Sequence, residues 1–89
     1  MNHYWTVIVL HSVEKKISIL PKADRERIQT AINSLADGPN AEGLDVKPLK
    51  VRPEWRLRIG NWRILFRVDY ERIIIKVIKL AARGDVYKK

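Results

Sequence analysis

The chain has 89 residues, no cysteine and a formal net charge of +8, which suits one domain spanning 1–89 and excludes disulfides and thiolate metal sites. Its 46% hydrophobic share is enough for a packed core and too high for a disordered tail. Residues 1–46 carry 5 basic and 6 acidic side chains and residues 47–89 carry 13 and 4, an asymmetry that points to a polyanionic partner, either nucleic acid or an acidic protein.

Met1 to Trp5 lacks the basic start and small-residue cleavage site of a signal peptide, and no apolar run reaches the length of a membrane span. A cytoplasmic protein that makes no use of a membrane is expected. Tyr4 to Leu10 is rich in β-branched and aromatic residues and predicts a strand. His3 and His11 flank it with no third ligand nearby, so no metal is expected; no small-molecule cofactor is expected either. Ser12 reads as the N-cap of a short helix, with Val13, Ile17 and Leu20 at helical spacing and Pro21 as its stop.

A second helix is predicted from about Lys22 to Asp37. Ile28, Ile32 and Leu35 form its apolar stripe, Asp24 lies in its first turn, and Gly38-Pro39 ends it. Residues 38–48 hold Gly38, Pro39, Asn40, Gly43 and Pro48 and read as a loop. The rest reads as three strands. Trp55 to Ile59 alternates apolar and basic residues, Gly60-Asn61 makes a two-residue hairpin turn, and Trp62 to Val68 alternates again. Asp69 to Arg72 turns the chain, and Ile73 to Leu80 is apolar on both faces in its first half, as an interior strand would be. The expected order is β-α-α-β-β-β, an α+β fold with an antiparallel sheet and a helical hairpin packed on one face.

The other face of that sheet is the candidate site. Arg56 and Arg58 lie two apart and point the same way, Arg63 lies just past the turn, and Arg67 follows further along. Like charges this close repel unless something anionic sits between them, and the planar fork of arginine matches phosphate oxygens.

The stretch from Leu44 to Tyr87 resembles the RelE/ParE toxin superfamily. The similarity is carried by Arg56-Leu-Arg-Ile-Gly-Asn-Trp-Arg-Ile-Leu-Phe-Arg67 and by the ending Arg83-Gly-Asp-Val-Tyr87. Ser12-Val-Glu-Lys-Lys-Ile and Leu20-Pro-Lys fit in the front half. The resemblance implies a toxin paired with a cognate antitoxin protein. In the RelE branch it implies cleavage of mRNA in the ribosomal A site, with Arg56, Arg58, Arg63, Arg83 and Tyr87 at the catalytic positions. Lys47, Lys50, Arg52 and Arg67 are expected as further RNA contacts. Some members of that branch carry lysines where this chain has Arg56 and Arg58. Arginine stabilises a phosphorane but stays protonated, and the matching strand positions hold neither histidine nor carboxylate, so no general base is evident. Two alternatives stay open: a ParE-type inhibitor of DNA gyrase, and a family member that binds RNA or antitoxin without catalysis.

Overall fold

The computed structural model describes residues 5–82. Within them run β1 (Thr6–Val9), α1 (His11–Ser18), α2 (Lys22–Ser34), a 3-10 turn (Leu35–Asp37), β2 (Asp45–Pro48), β3 (Trp55–Ile59), β4 (Trp62–Asp69) and β5 (Ile74–Ala82). The five strands form one sheet in the order β1-β5-β4-β3-β2. This is the expected α+β fold, with the helix pair on one face of the sheet. Its core joins Val13, Ile17, Ile28, Ile32 and Leu35 of the helical layer to Leu57, Ile64, Phe66, Ile75, Val77 and Leu80 of the strands.

Four details depart from the sequence reading, each for a physical reason. α1 begins at His11, and Ser12 lies inside its first turn rather than capping it. The Leu10 amide donates to the Val77 carbonyl at 3.1 Å, and the Leu10 carbonyl accepts from Val13 and Glu14 at 2.9 and 3.0 Å. The end of the first strand therefore doubles as the start of the helix, and no side-chain cap is used.

The second detail is strand direction. β1 pairs with β5 in parallel, with Thr6 opposite Ile74 and Val9 opposite Val77, so the sheet is mixed rather than wholly antiparallel. Alternation along a strand is the same for either direction. The helical hairpin between β1 and the later strands sets the direction in which β1 lies.

The third is β2, which falls in the segment read as a loop. It pairs antiparallel with β3, from Asp45 opposite Arg58 to Pro48 opposite Trp55. Pro48 is compatible with a strand here because β2 is an edge strand and the proline is its last residue.

The fourth is a register shift between β4 and β5. Leu65 faces Lys79 and Phe66 faces Val77, leaving Ile78 as an extra residue. The shift lets Ile75, Val77 and Leu80 all join the core despite their uneven spacing. β5 starts one residue after Ile73, which takes a left-handed φ of 57°. Its carbonyl accepts the Thr6 amide at 3.0 Å and opens the parallel pairing. Among the described residues, no helix is long and apolar enough to cross a membrane.

Candidate nucleic-acid interface

The sheet face opposite the helices carries the cations in rows set by strand register. One row runs from Asp45 on β2 through Arg58 on β3 to Arg63 on β4. The next runs from Lys47 through Arg56 and Leu65 to Lys79 on β5. Arg67 lies opposite Lys76 in the row beyond. Lys47, Arg56, Arg58, Arg63 and Arg67 thus share one face. Leu65 lies among them and is fully buried, although it is outside the cluster beneath the helices.

These side chains are held in different ways. Arg63 curls back on its own hairpin, where Nη1 donates to the carbonyls of Gly60 at 2.8 Å and Trp62 at 2.9 Å. The turn itself needs Gly60, whose φ is +57°. Arg56 is largely enclosed, with a side chain 14% exposed and an Nε that is buried and without a partner. Its Nη2 donates to Asp45 Oδ1 at 3.0 Å, and Arg58 Nε stands 3.9 Å from Asp45 Oδ2.

A second carboxylate serves the far end of the face. Glu54 is 4% exposed. Its Oε1 accepts from Arg52 Nε at 3.0 Å, and its Oε2 accepts from Arg67 Nε at 3.1 Å. Arg52 is thereby tied to the face from the loop before β3. Lys50 is exposed on the same loop. Arg83 and Tyr87 lie outside the described residues.

The mutual repulsion expected of clustered arginines is therefore relieved in part by the chain's own acids. On β3 and β4 the positions among the arginines hold no carboxylate, Asp69 standing only at the far end of β4. The two acids arrive from beside them, Asp45 from the edge strand and Glu54 from the residue preceding β3. Asp45 was hidden because its segment reads as a loop, so its facing was not legible. Glu54 carried one weak signal, since its spacing of two from Arg56 puts it on the same face if the strand is extended backwards. Among the described residues, no group of three or more His, Asp or Glu side chains could hold a metal ion. Beyond Arg67, towards the β4–β5 turn, lies an open groove of about 640 Å³ bordered by Ile8, Tyr70, Arg72 and Lys76.

Comparison with known proteins gives a consistent result. The family described as "ParE toxin of type II toxin-antitoxin system, parDE" matches residues 7–87. No curated protein matches the chain. Among solved structures, the chain is similar to one of the archaeal RelE–RelB complex from Pyrococcus horikoshii OT3. The TM-score is 0.79 and the identity 29%, over 91% of this chain and 97% of that one. It is also similar to a chain of the toxin–antitoxin complex RelBE2 from Mycobacterium tuberculosis, with a TM-score of 0.62 and 26% identity over 89% and 98% of the two chains. The isolated E. coli RelE toxin shares the fold, with a TM-score of 0.70 at 17% identity over 93% and 90%. A family match over nearly the whole length, together with this fold, identifies the chain as a member of the ParE toxin family within the RelE/ParE superfamily of type II toxin–antitoxin systems.

Proposed function

We propose that the protein is a RelE-type toxin, an endoribonuclease that cuts mRNA presented in the ribosomal A site and so stops translation in the cytoplasm. The supporting observation is the gathering of Lys47, Arg56, Arg58, Arg63 and Arg67 on one face of the sheet. Such a face can track a phosphodiester backbone and stabilise the charge that builds up on a phosphorane. Arg83 and Tyr87 are proposed to complete the site from the C-terminal end. The chemistry uses guanidinium groups and the 2′-hydroxyl of the RNA itself, and needs no metal of the protein's own.

A cognate antitoxin is the proposed partner, as the similar archaeal and mycobacterial structures are toxin–antitoxin complexes. An acidic segment with apolar anchors suits the basic second half of the chain. Its binding should weaken as salt rises, while apolar burial preserves much of it. An antitoxin that touches only residues 1–46 would contradict this reading.

The description of the matching family as ParE favours a second reading: binding to DNA gyrase without chemistry of the toxin's own. Two assays on the same preparation separate them. Primer extension on mRNA in a translation extract should reveal discrete new 5′ ends that depend on the toxin. A gyrase supercoiling assay should show no inhibition. The reverse pattern would favour the ParE reading.

A further inference from the structure

Cleavage of RNA by its own 2′-hydroxyl requires a group that takes the 2′ proton, and guanidinium groups cannot do so. Among the described residues, two carboxylates touch the arginines of β3 and β4, and they are placed differently. Glu54 is almost wholly buried, with one oxygen engaged by Arg52 and the other by Arg67. Asp45 is 51% exposed. Its Oδ1 is held at 3.0 Å by Arg56, whose side chain is largely buried. Its Oδ2 lies 3.9 Å from Arg58 Nε, beyond hydrogen-bond reach. An enclosed arginine thus fixes one oxygen, and the other is left towards the open face. That oxygen sits in the row that continues through Arg58 to Arg63, with Lys47 as the neighbouring cation on β2.

We propose that Asp45 is a catalytic residue, the acceptor of the 2′-hydroxyl proton. This rests on the RNA-cleaving reading above and supplies the general base that the arginine positions lack. In the step, the 2′ proton passes to Asp45 as the 2′-oxygen forms its bond to phosphorus. The bond from phosphorus to the 5′-oxygen breaks, and that oxygen leaves with a proton taken from solvent. The products are a 2′,3′-cyclic phosphate and a 5′-hydroxyl, and Asp45 returns its proton to water. Arg58 and Arg63 keep their protons and hold the phosphoryl oxygens. Arg56 acts through Asp45 as a positioning residue, which accounts for its enclosure, with a side chain only 14% exposed.

The test is single-turnover cleavage of mRNA on programmed ribosomes at constant ionic strength. Asp45→Asn keeps an oxygen for Arg56, and Asp45→Ala removes it. Both should slow the chemical step by about 10²–10⁴-fold. Binding to the RNA-charged ribosome, measured by co-sedimentation, should hold or tighten, because a negative charge is lost from a phosphate-facing surface. Added formate and acetate should then restore the rate of Asp45→Ala, with acetate, the stronger base, more effective per mole. Restoration that ignores basicity would make the carboxylate a mere charge between arginines and overturn the assignment. So would an Asp45→Asn protein that cuts within a few-fold of wild type, or one whose rate falls only as its binding falls. If the unaltered toxin cuts no RNA at all, the nuclease reading itself fails and the role of Asp45 falls with it. If the unaltered toxin cuts and Asp45→Asn cuts equally, the assignment of Asp45 alone is lost.

Discussion

Glu54 and Arg67 meet across the sheet with Arg67 Nε and Nη2 both 3.1 Å from Glu54 Oε2, while the carboxylate is 4% exposed and the arginine side chain 61%. Arg52, 40% exposed, holds the other oxygen. The arginines can turn to water and the carboxylate cannot. Removing the acid should therefore cost less than removing both of its partners. Glu54→Ala is expected to lower stability by about 1 kcal/mol, since two partly exposed cations regain solvent. The double variant Arg52→Ala/Arg67→Ala strands a buried carboxylate and should cost about 3–5 kcal/mol. Urea unfolding of the two variants tests the order. Equal costs would mean that the carboxylate reaches water once its partners are gone.

Gly60 occupies the β3–β4 turn with a φ of +57°, and a Cβ there would stand 2.6 Å from Nη2 of Arg27. That nitrogen ends a flexible side chain and can move aside, whereas the backbone conformation cannot change without undoing the hairpin. Gly60→Ala should cost about 1–2 kcal/mol, most of it backbone strain. Adding Arg27→Ala should recover little of that loss. Thermal melting of the single and double variants measures it, and full recovery would assign the cost to the clash instead.

Phe66 and Arg63 alternate on β4 and should separate stability from toxicity. Phe66 is fully buried and stacks on Trp55 with ring centroids 6.4 Å apart. Phe66→Ala should cost about 3–5 kcal/mol by leaving a cavity. Arg63→Ala loses two bonds to turn carbonyls, worth about 1 kcal/mol, yet should abolish toxicity. Circular dichroism with growth assays distinguishes folded inactive protein from unfolded protein. A toxic Arg63→Ala variant would remove that arginine from the site.

Tyr87 lies outside the described residues, and its ring and its hydroxyl offer two different roles. A ring that stacks on an extruded base contributes about 1–3 kcal/mol. A hydroxyl that gives a proton to the 5′-oxygen contributes about 10²–10⁴ in rate. Stacking predicts a nearly active Tyr87→Phe and a weak Tyr87→Ala. Proton transfer predicts that both fall by a similar factor. Single-turnover cleavage decides between them, and full activity in both variants would exclude the residue.

Most of the architecture was legible because it depends on local periodicity. Val13 and Ile17, then Ile28, Ile32 and Leu35, mark the helix faces that the core buries. Alternation from Trp55 to Val68 put the arginines on one side of the sheet and Leu57, Ile64 and Phe66 on the other. Gly60 marked the turn. From these alone follows the opposition of Arg58 and Arg63, because a two-residue hairpin sets register.

What the tertiary structure decided is everything that depends on contacts distant in sequence. Asp45 to Pro48 is a strand only because β3 offers it an edge. Its own residues, between Gly43 and Pro48, carry little strand preference. The parallel placement of β1 and the register shift at Ile78 belong to the path of the helical hairpin and to the packing demands of the core. The consequence for the site is large. A sequence shows how many arginines share a face, because period two is a local property. It does not show that Asp45, 11 residues from Arg56, and Glu54, 13 residues from Arg67, come to lie against them. Those pairs exist only once strands from separate segments are laid side by side.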